Sequence, residues 1–279
     1  MNIGRSVLLM LALVALVAAG VWYSVLFESN SEEALYFFNV GQGDAQMIAA
    51  GRARFLIDTG PDSSVLGELG RALPFLEKRI DVVFLSHIQQ DHAGGVFELI
   101  DRYDVGVVAW NGVRTPLWED LSKRLAEKDI AVVELSAGDS VSFKDHVVSV
   151  LWPQASDVPP EVNNTSLVLR YRRGDLSALF TGDVSDKVEK TLTRLWDIDV
   201  DVLKVPHHGS KYSSSADFLS EASPALAVID VGKNSYGHPT EEVLARLNAV
   251  GSRILRTDAD GTIKLVPYNA GVDVFSLTR

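Results

Sequence analysis

Hydrophobic positions in the chain begin as one unbroken run and then settle into two alternating periods. From Ser6 to Phe27 no charged residue interrupts the run. As a helix rising about 1.5 Å per residue it would extend ~33 Å, enough to cross a bilayer core. Beyond a short polar link, the two-residue period of strands predicts Ala34–Val40, Ala45–Ala50 and Arg54–Asp58, separated by Gly-Gln-Gly-Asp and by Gly51. Helical spacing then appears over Ser63–Glu77, with Pro74 near its end. Strands and helices alternate through Asp81–Ser86, Ala93–Arg102, Val105–Trp110, Pro116–Lys128 and Ile130–Leu135. A stretch of strands follows at Ser140–Phe143, Val147–Trp152, Thr165–Tyr171 and Leu176–Phe180. The last third returns to alternation, with helices at Ser185–Trp196, Ser214–Glu221 and Thr240–Val250 around strands at Asp201–Val205 and Ala225–Asp230. Three short strands complete it, with Asp260-Gly261 read as a hairpin turn.

This order predicts an α/β fold in which two mixed sheets pack face to face with helices outside, an αββα sandwich. No composition break divides residues 34–279, so they are read as one domain, with 1–28 as a membrane anchor or signal segment and 29–33 as a linker. Arg5 precedes the apolar run and Glu28, Glu32 and Glu33 follow it, which orients the N-terminus inward and the domain outside the cytoplasmic membrane. Ala18-Ala19-Gly20 supplies small residues for a signal peptidase, and cleavage there would release a secreted or periplasmic domain. The run continues through Val25-Leu26-Phe27, which fits an uncleaved single-pass anchor better.

The formal net charge of −11 argues against a generic polyanion-binding surface, so contact with nucleic acid would need a local basic rim or bound metal. With no cysteine, disulfides and thiolate zinc sites are excluded, leaving His, Asp and neutral oxygens as ligands.

The chemistry-bearing residues fall where apolar strands end. Asp58 follows Phe55-Leu-Ile, His87 follows Val82-Val-Phe-Leu-Ser, Asp183 follows Leu179-Phe-Thr-Gly, and His207-His208 follow Val202-Leu-Lys-Val-Pro. A fifth strand ends at Asp230 and leads to His238. Strand ends are where α/β proteins collect their sites. Ser86-His87-Ile88-Gln89-Gln90-Asp91-His92-Ala93-Gly94-Gly95 places imidazole and carboxylate donors in one tight loop, suited to zinc or manganese.

That loop resembles the His-x-His-x-Asp-His motif of the metallo-β-lactamase superfamily. Phe38-Asn-Val-Gly41-Gln-Gly-Asp44, Asn163-Asn164-Thr-Ser, Thr181-Gly-Asp183, Lys204-Val-Pro-His207-His208-Gly-Ser and Tyr236-Gly-His238-Pro are similar to the extracellular hydrolase domain of ComEC-like DNA-uptake competence proteins. The resemblance runs from about residue 35 to 268. It implies the metallo-β-lactamase fold and a metal-dependent hydrolase, a phosphodiesterase or nuclease that uses metal-activated water. DNA translocation is not expected to carry over, because a single apolar span precedes the domain. A partner channel stays unspecified.

Two positions depart from the motif: Gln89 replaces its middle histidine, and no histidine occurs between His146 and His207, where Asn163 or Asn164 stands instead. The resemblance therefore implies one firm metal held by Asp91, His92, Asp183 and His207. A weaker second would have His87 and Asp183 with amide donors such as Gln89. Asp91, Asp183 and His238 are the expected catalytic residues, with His238 steadying the phosphate or protonating the leaving oxygen. His208, Lys204 and Asn164 are expected to meet the substrate, although His208 could instead orient His207; Lys211 could contact an anionic substrate or be a solvated surface residue. Asp58 and Asp44 would support the metal loops or merely close turns, and His146 reads as structural. Two other functions stay open: hydrolysis of another envelope phosphodiester or of a lactone or ester, and a decayed site kept as a membrane-tethered binding module. Metal content and a substrate panel separate them.

Overall fold

The computed structural model describes residues 3–28, 32–155, 159–268 and 271–277. In chain order its first half contains α1 (Ile3–Glu28), β1 (Glu33–Phe37), β2 (Gln46–Ala50), β3 (Ala53–Ile57), α2 (Ser64–Ala72), β4 (Arg79–Leu85), α3 (Gln90–Ala93), α4 (Val96–Arg102), β5 (Asp104–Trp110), α5 (Pro116–Glu127) and β6 (Ala131–Glu134). The second half contains β7 (Ser140–Phe143), β8 (His146–Trp152), β9 (Val168–Arg173), β10 (Leu176–Phe180), α6 (Asp186–Leu195), β11 (Val202–Lys204), α7 (Ala216–Ala222), β12 (Leu226–Ile229), α8 (Glu241–Ala249), β13 (Arg253–Arg256), α9 (Thr257–Asp260), β14 (Thr262–Tyr268) and β15 (Gly271–Leu277).

Two mixed sheets result, one ordered β15-β14-β1-β2-β3-β4-β5-β6 and the other β13-β12-β11-β10-β9-β8-β7. Strand alternation sorts the core into layers, because successive side chains leave a strand on opposite faces. Leu35, Phe37, Ile48 and Phe84 point between the sheets to meet Val150, Leu169, Phe180 and Val202. Their neighbours Tyr36, Met47 and Val83 turn outward to pack with Leu69, Leu99 and Leu121 of α2, α4 and α5. On the other side Leu179, Leu203 and Ile229 pack with Leu192, Phe218 and Val243 of α6, α7 and α8. The four layers are those expected from the sequence pattern.

Several element ends differ from the sequence reading for local reasons. The helix expected over 63–77 stops at Ala72, because Leu73 takes an extended conformation ahead of Pro74. The helix expected over 93–102 is broken at Gly94-Gly95. There a Cβ would lie 2.1 Å from the Pro61 carbonyl oxygen and 2.3 Å from that of Thr59, so the chain passes as glycine. Asp260-Gly261 does not turn a hairpin. It carries the chain from β13 in one sheet to β14 in the other, and the Asp260 carboxylate closes that corner on the Arg256 N–H at 2.8 Å. The hairpin lies one step later, between β14 and β15.

The N-terminal run forms the backbone helix α1. Among the described residues no helix is long and apolar enough to cross a membrane, and the span expected over 6–27 lies partly outside the residues whose side chains are described.

Candidate metal centre

The strands deliver their polar residues to one end of the sandwich. β3 and β4 run parallel and end at Asp58 and at Ser86-His87, while β10, β11 and β12 run parallel and end near Asp183, His207-His208 and Asp230. Candidate ligand atoms of Asp91, His92, Asp183 and His208 all lie within 4.8 Å of one another. His92 Nε2 is 3.4 Å from Asp183 Oδ1 and 4.0 Å from Asp91 Oδ2, and His208 Nε2 is 3.5 Å from Asp91 Oδ2 and 3.7 Å from Asp183 Oδ2. Donors held about 2.1 Å from one ion at tetrahedral angles sit roughly 3.4 Å apart, so this set fits one divalent cation.

Hydrogen bonding on the far side of each ring fits the same group. His92 Nδ1 faces Asp58 Oδ2 at 2.8 Å, His208 Nδ1 faces the Asp230 carbonyl at 2.8 Å, and His87 Nδ1 lies 3.1 Å from Ser86 Oγ and 3.2 Å from Ser166 Oγ. The Nε2 atoms of all three are buried without a hydrogen-bond partner, as is Asp183 Oδ1. An imidazole fixed through Nδ1 with its Nε2 left bare is a metal ligand's arrangement, and leaving four such buried atoms unpaired would otherwise be costly.

Charge follows the same pattern. Burial opposes a proton on His208, but Asp183, Asp44 and Asp91 outweigh it and push its pKa up to about 10. Burial likewise opposes ionisation of Asp183, yet His208, His92 and Lys204 hold its carboxyl well below the usual range. The pocket thus demands positive charge, which a divalent ion supplies in place of protons.

The structure separates residues that the sequence grouped. His208, not His207, completes the converging set. Both are in the left-handed region, at φ 52° and 53°, so the two rings diverge, with centroids 6.3 Å apart and planes at 70°. Such strained positions cluster at functional sites. His207 turns toward a neighbouring position, where its Nε2 lies 3.8 Å from Asp183 Oδ2 and 3.3 Å from Asn163 Nδ2. Gln89 donates to Asn163 Oδ1 at 2.8 Å, and the His87 ring packs 4.1 Å from His92. Asp183 therefore stands between two positions: a four-ligand set, and a neighbour lined by His207, Gln89 and Asn163.

Asn164 and Lys204 do not reach that opening. The Asn164 side chain is buried and accepts from the Ser185 N–H at 2.9 Å, tying the Asp183 loop to its neighbour. Lys204 is 1 % exposed, pairs with Asp44, and donates to the Gly182 carbonyl at 3.0 Å. Its place at the end of β11 points it beneath the cluster, where it neutralises acids instead of meeting substrate. Asp44 is buried with it, 3.3 Å from His208 Nδ1, and also approaches His92 Nδ1 at 3.7 Å. Asp58 accepts from Ser86 N–H and Oγ at 2.7 and 2.6 Å, so its carboxylate is fixed before it orients His92. We expect Asp58→Asn to weaken metal retention by about 10- to 100-fold, measured by competition with a chromophoric chelator. An unchanged affinity would show that Asp58 does no more than close its loop.

His238 sits half-buried at the open side, its ring centroid 5.7 Å from that of His207 and its Nδ1 without a partner. His146 is buried on β8 with Nδ1 2.8 Å from the Tyr171 hydroxyl, far along the strand from these loops. Gln46 escapes the sequence reading, which names Asp230 as a strand-end residue without giving it a role. Asp230 gives its carbonyl to His208, and its carboxylate accepts from the Gln46 amide. A buried acid at a strand end next to a predicted ligand was the available signal. Gly182, at φ 52°, lets the Asp183 loop turn: a Cβ there would fall 2.7 Å from Ser166 Cβ.

Residues 38–229 match the model of the metallo-beta-lactamase superfamily. The chain belongs to that superfamily. It is a metal-dependent hydrolase of the metallo-β-lactamase fold with a buried His/Asp metal-binding cluster. ComE operon protein 3 of Bacillus subtilis is 36 % identical over 270 residues, covering 89 % of this chain and 34 % of its own length. Competence protein ComA of Neisseria gonorrhoeae is 31 % identical over 266 residues, covering 93 % of this chain and 36 % of its own. The chain thus spans about a third of the length of these ComEC-like relatives. Among solved structures, the metallo-beta-lactamase fold protein YhfI from Bacillus subtilis superimposes with a TM-score of 0.59 at 13 % identity, covering 84 % of this chain and all of that one. At that identity the likeness speaks for the fold alone.

Proposed function

We propose that the protein is a phosphodiesterase, with nucleic acid as the leading substrate, held outside the cytoplasmic membrane by its N-terminal helix. The observation that carries the hydrolytic part is the convergence of His92 and His208 Nε2, unpartnered and buried, on Asp91 and Asp183. Likeness to competence proteins over most of the chain is what brings nucleic acid forward. Asp91, His92, Asp183 and His208 would hold a divalent ion, manganese or zinc, and His87, His207 and Asp183 a second, weaker one. Such an ion supplies Lewis acidity, lowering the pKa of water and drawing charge from phosphoryl oxygens.

The chain's own residues do the rest. Asp58 and the Asp230 carbonyl fix the rings of His92 and His208, so both present Nε2 without reorganisation. Lys204 and Asp44 lie behind them and stay out of contact with substrate. Burial, with His207 and His208 nearby, pushes the His238 pKa down, so at neutral pH this ring is neutral and steadies a phosphoryl oxygen with one N–H. The amides of Gln89 and Asn163 line the neighbouring position with neutral donors.

The experiment is metal analysis of the purified protein with cleavage of bis-p-nitrophenyl phosphate and of DNA, before and after chelation. We expect bound divalent metal, cleavage lost on chelation and restored by manganese or zinc. Folded protein that binds metal but hydrolyses only esters or lactones would overturn the phosphodiester reading. Folded protein that binds none would leave a tethered binding domain.

A further inference from the structure

Two loops rim the open side of the metal centre, and each exposes a lysine and a tyrosine. One follows the histidine pair and carries Lys211 and Tyr212; the other precedes α8 and carries Lys233 and Tyr236. Tyr212 is 67 % and Tyr236 73 % exposed, so both rings are largely open to solvent. The loops are bound to each other and to the site. The Gly209 carbonyl accepts from the Thr240 N–H at 3.0 Å, and the Tyr212 carbonyl accepts from the Asp186 N–H at 3.0 Å. Ser213 Oγ donates to the Val184 carbonyl at 2.8 Å, just past Asp183.

From Tyr236 the rings lead inward. Its centroid is 5.8 Å from that of His238, which is 5.7 Å from that of His207, whose Nε2 lies 3.8 Å from Asp183 Oδ2. Lys211 lies over the Tyr212 ring at 5.3 Å, and among the described residues neither Lys211 nor Lys233 has an acidic partner. In a chain of net charge −11, the two loops set exposed lysines without an acidic partner beside exposed rings at the mouth of an acidic pocket. Exposed aromatic faces next to free cations suit a strand whose bases are unpaired: the rings stack on bases and the ammonium groups meet phosphates. A duplex keeps its bases stacked within and offers these rings nothing.

Resting on the phosphodiesterase reading, we propose that Tyr236 and Tyr212, with Lys233 and Lys211, form a subsite for the unpaired nucleotides that flank the scissile phosphodiester. The subsite gives the domain a preference for single-stranded nucleic acid, and its tyrosines act on specificity rather than on the reacting atoms.

The test is fluorescence anisotropy with the full chain in detergent and chelator, so that nothing is cleaved. The probes are labelled oligothymidylate, an abasic strand of equal length and the corresponding duplex. We expect oligothymidylate to bind best and Tyr236→Ala or Tyr212→Ala to weaken it by roughly tenfold each. Neither change should alter binding of the abasic strand, and Tyr→Phe at either position should restore affinity, since the ring and not the hydroxyl stacks. Binding of oligothymidylate within twofold of wild type in both alanine variants, or equal losses on the abasic strand, would overturn the subsite. Cleavage of small phosphodiesters with no base-dependent binding sinks the subsite alone. Base-dependent binding without cleavage of any phosphodiester keeps the subsite and sinks the proposed reaction.

Discussion

Asp183→Ala should cost both the bound metal and on the order of a thousandfold or more in phosphodiester cleavage. Its carboxylate stands 3.4 Å from His92 Nε2, 3.7 Å from His208 Nε2 and 3.8 Å from His207 Nε2, so removing it opens both positions at once. The neighbouring histidines divide the effect. His208→Ala should behave like Asp183→Ala in metal content, since it removes one of four converging ligands. His207→Ala should keep the first ion and lose activity by roughly 10- to 100-fold, through the weaker position alone. Metal stoichiometry by mass spectrometry, read beside kcat/KM on one small phosphodiester, separates these outcomes. If His207→Ala strips the metal and His208→Ala does not, the assignment of the two rings is reversed.

Lys204→Met should be the most destabilising single change at the site, by about 3–5 kcal/mol in metal-free protein. The ammonium is 1 % exposed and faces Asp44 at contact and Asp183 Oδ1 at 3.8 Å, with both carboxylates buried. Burial opposes its charge, but Asp44, Asp183 and Asp230 outweigh that and hold its pKa above the usual value. Methionine keeps the length of the stem and leaves those acids without their cation. A bound divalent ion neutralises part of the same charge, so the deficit should shrink when metal is added. Urea unfolding followed by circular dichroism, with and without metal, reads both effects. A midpoint unchanged from wild type in chelator would mean that the acids do not depend on Lys204.

The hydrophobic periods, the strand-end polar residues and the six motifs in order were enough to predict the layered sandwich and to single out Asp91, His92 and Asp183, which the structure brings together. These features are local: a strand's inward face is written in alternate residues, and a strand's end in the residue that follows its last apolar position. Which of His207 and His208 joins the cluster was not local. In an ordinary strand or helix successive side chains take predictable directions, but here both residues have positive φ, a state that the surrounding packing imposes and that no propensity foretells. The same holds for the adjacent asparagines, where Asn163 reaches the opening and Asn164 ties two loops together. Lys204, a lysine beside a histidine loop, looks like a substrate contact until the buried carboxylate of Asp44 arrives from a loop 160 positions earlier in the numbering. Sequence by itself determined the fold class and the chemistry of the donors. Tertiary structure decided which donors converge, because convergence depends on several chain segments meeting and on where each buried charge finds its partner.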